Sequence, residues 1–320
     1  MEQQAELVMT KPTRHSLNRK GTLLKDIVRD KYLYLLLLPG LLLILLFRYG
    51  PMYGVVIAFQ DYNIYKGIGG SEWVGFDQFQ RLFRSPDFTE VLTNTIVISL
   101  YKLAASFSLP IILSLLLNEL KNVVFKRIAQ SIIYLPHFIS WVIFSGIIIT
   151  FLNPVDGMVN VIIRNFGGTP IDFLGDVRYF RSVLVLSDIY KEVGWGTIIY
   201  LAAIAGVSAD LYEAARIDGA NKLKQMWHVT LPAIRPVIII LVILSLANIL
   251  EAGFQQIFLL YNALVYDVAD ILDTYVYRVG IQQADYSYAT AAGLFKSAVA
   301  MILILTVNKI VKATGQDGLW

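Results

Sequence analysis

Long apolar runs separated by short polar stretches set the pattern of the chain. Six of them, at about 32–47, 91–117, 128–152, 183–205, 236–257 and 290–308, approach the roughly 20 residues that a helix rising 1.5 Å per residue needs to cross a hydrocarbon core of about 30 Å. The pattern therefore predicts an all-α membrane protein with six transmembrane helices. The stretches 48–90, 153–182 and 258–289 are rich in Gly and aromatic residues and read as ordered surface loops. Residues 1–31 form a polar tail, and the apolar run after them begins too late, and lacks a small-residue cleavage site, to be a signal peptide. Within that tail Leu23, Leu24, Ile27 and Val28 recur at helical spacing beside Lys25, Asp26 and Arg29. Either a short helix on the membrane surface or a frayed basic tail accounts for them.

Composition agrees with a bilayer. Of 320 residues, 56% are hydrophobic and 16% charged, and the mean hydropathy is +0.60, too apolar for a soluble domain of this size. Cysteine is absent, which removes disulfides, thiolate nucleophiles and cysteine metal sites. The net charge of +3 decides little, but its distribution decides more. Segments 1–31, 118–127, 206–235 and 309–320 hold 16 Lys and Arg, and the alternate loops hold eight when the boundary residue Arg48 is included. Basic residues accumulate on the cytoplasmic side, so both termini and the 206–235 loop are expected there.

A polar island, Asp210 to Pro236, lies between the fourth and fifth runs. Asp210 with Glu213 reads as a capping box opening a short helix, and Gly219 as the residue just past its end. A second short helix is expected from Asn221, stopping before Pro232 because Leu231 precedes a proline. Ionisable residues inside the spans also need a reason, since each costs at least a few kcal/mol in lipid. Asp188, Glu192 and Trp195 fall on one face of helix four with Lys191 beside them, and Asn248, Glu251 and Gln255 on one face of helix five. Trp195 and Asn248 would both sit roughly 15–18 Å from the cytoplasmic ends, so the two faces would meet at one depth. Acidic, amide and indole groups at one level suit a sugar, whose hydroxyls take hydrogen bonds while its ring stacks on an aromatic. The structural alternative is an ion pair of Lys191 with Asp188 or Glu192, with Asn248 as interhelical glue. Lys102 and Lys296 also lie in spans, where they would attract an acidic sugar or pair with another subunit.

Glu213, Ala214, Ala215, Gly219, Val229, Leu231 and Pro232, with Asp218 and Ala220, resemble the signature loop of type I ABC-importer permeases. The stretches YGPMYGVVIAFQDYNIYKGIGGSEWVG (49–75), YLPHFISWVIFSG (134–146) and EVGWGTIIYLAAIAGVSADLYEAARIDGA (192–220) extend the resemblance from about residue 30 to the end. They are similar to the subgroup serving complex oligosaccharides, which includes importers of pectin-derived rhamnogalacturonan fragments and of alginate. The resemblance implies the six-span, maltose-permease-like fold, multi-pass in the bacterial cytoplasmic membrane, in a transmembrane domain spanning 32–320. It implies that the 206–235 loop docks on an ATPase and that helices four and five line the transport cavity. It also implies a second homologous permease subunit, two cytoplasmic ATPase subunits that bind the ATP and Mg²⁺, an extracytoplasmic solute-binding protein and no cofactor on this chain.

Enzymatic readings find no support. His15, His137 and His228 fall in the tail, a span and the polar loop, so no metal set converges, and neither an H-E-x-x-H nor a P-loop pattern occurs. No basic and aromatic platform for nucleic acid is present. The surviving alternative is an ion-coupled secondary transporter of small polar solutes, which would run without ATP.

Overall fold

In the computed structural model, residues 29–247 and 249–313 are described. The helix expected around Leu23–Val28, the residue Asn248 and the last seven residues lie outside them. The chain divides into two units, Met1–Val55 and Val56–Trp320. In the first, helix α1 (Lys31–Ile44) is exposed and apolar along its length and continues as a π-helical turn over Leu45–Tyr49. A 3-10 stretch over Gly50–Phe59 follows, so the helical run extends well past the predicted end at 47 and the loop begins later than expected. Pro51 favours this, because its fixed φ suits the first turn of a helical segment.

The second unit takes in the end of this 3-10 stretch from Val56, followed by a pair of two-residue antiparallel strands, Gln60–Asp61 against Glu72–Trp73, a small exception to the all-α expectation. Helix α2 (Asp77–Arg84) then leads into the long α3 (Pro86–Glu119), whose first helical position is proline. Next come α4 (Val123–Tyr134), α5 (Trp141–Leu152), α6 (Met158–Asn165) and α7 (Val177–Ala205). Two short helices, α8 (Ala209–Ile217) and α9 (Lys222–Gln225), precede α10 (Leu231–Ala247). Finally α11 (Phe254–Leu260) and α12 (Leu272–Tyr277) lead to α13 (Tyr286–Ala313).

Among the described residues, four helical segments are individually long and apolar enough to cross a membrane, and six candidate spans result if two bent pairs count as one each. The bent pairs are α4 with α5, at 102°, and α7 with α8, at 73°.

Two spans predicted as continuous are broken. The third, expected over 128–152, turns through a 3-10 stretch at Leu135–Phe138 and extended residues Ile139 and Ser140. Pro136 cannot donate a helical hydrogen bond there, and the Ser140 hydroxyl instead caps α5 by accepting from the Ile143 N–H at 3.4 Å. The fifth, expected to reach 257, ends at Ala247 and restarts at Phe254 after Gly253, whose φ of +97° is left-handed. In the other direction, the helix expected to stop before Pro232 does not stop. A π-helical turn over Met226–Thr230 widens the backbone just ahead of the proline, and Leu231 keeps helical torsions into α10. The wider turn accommodates a ring that would crowd an ordinary α-helical carbonyl.

The core is built where α3 and α7 run together. Ile98, Phe144, Ile148, Phe180, Leu184 and Ile257 form its centre. Helices α4 and α7 meet backbone to backbone at Gly194, where an added Cβ would lie 2.1 Å from the Ile133 carbonyl oxygen. Outward-facing Leu100, Ile112, Ile132, Val142, Leu244 and Ile302 are large, apolar and exposed, as expected of helices facing lipid or other apolar surfaces.

Candidate functional site

Helix α7 brings most of the ionisable groups together, and they point to two places. Asp188 faces α3, where its carboxylate pairs with the Lys102 ammonium at 3.2 Å. Lys102 also donates to the Ala252 carbonyl at 2.8 Å and to Oε1 of Gln256. The Gln256 amide in turn donates to the Leu184 carbonyl at 2.8 Å and to Ser187 Oγ at 2.7 Å. This network holds the unwound segment that ends α10. Asp188 and Glu251 line a cleft of about 160 Å³ with Ser99, Lys102, Ser106 and Ser245. The Ser99 hydroxyl there is buried and has no hydrogen-bond partner.

One turn further along α7, Glu192 Oε2 lies 2.7 Å from Nδ1 of His137, and the Trp195 ring stacks on the His137 ring with centroids 4.5 Å apart. Lys191 is buried behind them, donating to the His137 carbonyl at 2.7 Å and the Pro136 carbonyl at 3.3 Å. Its ammonium also approaches Glu192 at 3.5 Å and lies over the Trp141 ring at 5.4 Å.

Several expectations change with this geometry. Asp188, Glu192 and Trp195 do lie along one face of the unbroken α7, but they have different partners: Asp188 pairs with Lys102, while Glu192 and Trp195 meet His137. Glu251 and Gln255 do not share a helical face with the end of α10, since the helix is broken between them. Gln255 is exposed, while its neighbour Gln256 is buried and makes the contacts. Lys102 and Lys296 are not free cations awaiting an acidic ligand or another subunit. Lys102 pairs with Asp188, and Lys296 with Asp273 at 2.6 Å. Sequence reasoning missed His137, set aside with the other histidines, although Pro136 and Ser140 beside it mark a break in a span.

The polar loop is a helix–turn–helix as expected, with different capping. Ser208, not Asp210, is the N-cap of α8, its hydroxyl accepting from the Asp210 N–H at 3.3 Å. At the other end the Gly219 N–H donates to the Arg216 carbonyl at 3.0 Å and the Ala220 N–H to the Ala215 carbonyl at 2.9 Å. This is a Schellman closure, which requires the left-handed φ of +76° at Gly219. Asn221 caps α9 by accepting from the Lys224 N–H at 2.9 Å. The buried Gln225 donates to the Ala220 carbonyl at 2.8 Å, and the Tyr212 hydroxyl lies 3.0 Å from Thr230 Oγ1. Lys222 bonds Glu119 at the end of α3 at 2.8 Å. The loop is thus a stiff block joined to α3, α7 and α10. Glu213, Ala214, Asp218 and Pro232 lie on its exposed surface, Ala215, Ala220 and Leu231 are half-buried, and Ile217, Leu223 and Trp227 project as large exposed apolar side chains.

Among the described residues no group of His, Asp and Glu is arranged to hold a metal ion. Residues 106–314 match the family described as binding-protein-dependent transport system inner membrane component. The chain is 49% identical to the polygalacturonan/rhamnogalacturonan transport system permease protein YteP of Bacillus subtilis, over 94% of each chain. It is 51% identical to protein LplB of the same organism, over 91% of this chain and 92% of the other. Among solved structures, it superposes with a TM-score of 0.86 and 40% identity on a chain of a bacterial alginate ABC transporter, crystallised with an alginate pentasaccharide-bound periplasmic protein. That match covers 92% of this chain and 99% of the other.

Proposed function

Because the chain belongs to the binding-protein-dependent transport system inner membrane component family, and is thus a multi-pass membrane transport component rather than an enzyme, we propose that it is the permease subunit of an ATP-driven importer of oligosaccharides. The substrates are acidic, uronate-containing polysaccharide fragments, a reading supported by the names of its relatives. The chain crosses the membrane six times with both termini in the cytoplasm. It works with a second homologous permease, two ATPase subunits and an extracytoplasmic solute-binding protein.

One observation carries this reading. A stiff helix–turn–helix with exposed Ile217, Leu223 and Trp227 is fused to α7 and α10, and α7 carries the polar groups buried within the helices. Force applied at the block reaches the polar cleft through the continuous helical run from Lys222 into α10, whose Ser245 lines the cleft. Glu213, Ala214, Ala215, Asp218, Gly219, Ala220, Leu231 and Pro232 shape the block that fits the ATPase. Closure of the ATPase dimer moves it, and α7 and α10 rock the bundle between inward- and outward-facing states, an equilibrium that nucleotide and substrate each bias. Asp188, Glu251 and the unpartnered Ser99 hydroxyl supply hydrogen bonds to sugar in the cleft, and Asn248 and the exposed Gln255 are assigned to the same substrate pathway from their place in the sequence. Glu192 and Trp195, set against His137, form the second polar wall, and Lys191 holds that wall in place.

The test uses the complete importer in proteoliposomes. Ile217→Asp with Leu223→Asp leaves the melting temperature unchanged, because both side chains are exposed, and lowers binding-protein-stimulated ATP hydrolysis and labelled oligosaccharide uptake at least tenfold. Unchanged stimulation would remove the loop from the coupling path. Competition of uptake by uronate oligosaccharides, but not by neutral ones, supports the acidic substrate class, and equal competition rejects it.

A further inference from the structure

The charges around the cleft beside Asp188 do not balance, and the imbalance decides which part of a sugar the cleft takes. Three charged side chains line it, Lys102, Asp188 and Glu251. Lys102 and Asp188 offset each other at 3.2 Å. Glu251 stands on the unwound segment between α10 and α11, exposed, with no hydrogen-bond or ion-pair partner among the described residues. It adds a carboxylate that nothing else in the lining offsets.

Neither nearby lysine is available to a guest. An ammonium has three donors. Those of Lys102 go to Asp188, to the Ala252 carbonyl at 2.8 Å and to Oε1 of Gln256. The backbone closes over the same ammonium, since a Cβ added at Gly253 would lie 2.7 Å from Nζ. Lys191 is committed to the Pro136 and His137 carbonyls, with Glu192 at 3.5 Å, and its side chain is 4% exposed. A sugar carboxylate entering the cleft would thus meet Glu251 and Asp188 with no free cation to receive it. Sugar hydroxyls meet the opposite situation. A carboxylate only accepts hydrogen bonds, through two oxygens with about four lone-pair sites, so the free Glu251 side chain has room for two neighbouring ring hydroxyls at once. Hydrogen bonds to a charged acceptor are also stronger than those between neutral groups.

We propose that Glu251 is a specificity-determining residue, whose free carboxylate binds a pair of sugar hydroxyls and turns a carboxylate on the same sugar away from this chain. The proposal rests on the oligosaccharide reading above and deepens it. An acidic oligosaccharide crosses with its hydroxyl edge on the cleft, and the cations that offset its carboxylates are supplied from outside the cleft.

The chain has no cysteine, so Ser245→Cys, exposed in the cleft, reports occupancy of the cleft when the partner subunits are made cysteine-free. This importer, in nanodiscs without binding protein, is treated with an uncharged thiol reagent in the presence of an oligogalacturonate or of its methyl ester, the same sugar without the charge. Both sugars should slow the reaction. The ester should do so at a concentration lower by about threefold or more, the scale of the repulsion between two like charges several ångströms apart in water. With Glu251→Gln added, which keeps the shape and an acceptor but removes the charge, acid and ester should protect at the same concentration. Comparing the two sugars within each protein cancels any effect of Glu251 on the thiol itself. The melting temperature should not move, because the Glu251 side chain is exposed and unpaired. Equal protection by the two sugars with Glu251 in place, stronger protection by the acid, a difference that persists in Glu251→Gln, or loss of all protection in that variant each overturns the proposal. If neither sugar protects with Glu251 in place the proposal also falls, and uptake of labelled oligosaccharide by the unmodified importer then separates the two readings. Uptake that proceeds leaves the oligosaccharide function standing, and its absence removes that function as well.

Discussion

Two spans of this chain are broken inside the helical bundle, and each break is held by a lysine from elsewhere in the fold. At Leu135–Ser140 the lysine is Lys191, donating to the Pro136 and His137 carbonyls. At the segment ending in Gly253 it is Lys102, donating to the Ala252 carbonyl. Backbone groups freed from a helix in a membrane must find partners within the protein, and an ammonium with three donors supplies them. The difference lies in the counter-charge. Lys102 faces Asp188 inside a network closed by Gln256, whereas Lys191 faces Glu192, whose side chain is 34% exposed and shared with His137. One break is locked, and the other is held beside a polar group that remains reachable. A membrane protein can therefore use the same residue type to fix one irregular segment and to present another.

The largest effect expected from breaking this comparison is at Lys102. Lys102→Met leaves the Asp188 carboxylate buried without a partner and releases the Ala252 carbonyl and Gln256, at a cost of about 3–5 kcal/mol. The purified complex should melt far lower and express poorly. Replacing the pair together, Lys102→Met with Asp188→Leu, should restore most of the melting temperature, since an apolar pair of similar size is often as stable as a buried ion pair. A single variant that melts like the parent would show that the break is not held by the pair.

These breaks also mark the limit of what the sequence discloses. The apolar runs, the Asn221 cap and the Gly219 turn were legible because each depends on neighbours within a few residues. The interruptions depend on hydrogen bonds from helices 50 or more positions away, such as Lys191 to His137 and Lys102 to Ala252, which periodicity does not register. Pro232 misled in the opposite sense, because the π-turn ahead of it absorbs the ring and the helix continues. The choice of Gln255 over Gln256 has the same origin. One residue turns a helical side chain by about 100°, so a face counted through the break from Asn248 selects Gln255 and passes over Gln256, the glutamine that holds the network. The polar character of α7 was plain from its composition, while its division between two clusters required the partners Lys102 and His137.

A smaller effect is expected at Lys191. Lys191→Met removes two charge-assisted hydrogen bonds to the carbonyls of the third span, but Glu192 keeps His137 and contact with solvent. The loss should be about 2–3 kcal/mol, measurable as a lower melting temperature than the parent and a higher one than Lys102→Met. Equal destabilisation by the two substitutions would erase the distinction between locked and open breaks.

The smallest stability effect, and the sharpest functional one, is expected at His137. His137→Phe keeps a flat ring against Trp195, a contact worth about 0.5–1.5 kcal/mol, and removes only the hydrogen bond to Glu192. Stability should fall by about 1 kcal/mol, because Glu192 is exposed enough for water to replace the imidazole. Uptake should suffer more than stability, since the carboxylate then loses the partner that orients it. His137→Gln, which restores a hydrogen-bond donor without the ring, should recover part of the uptake while losing the stacking. If both variants transport like the parent, the open break has no part in moving substrate, and its exposure is only a consequence of where the span bends.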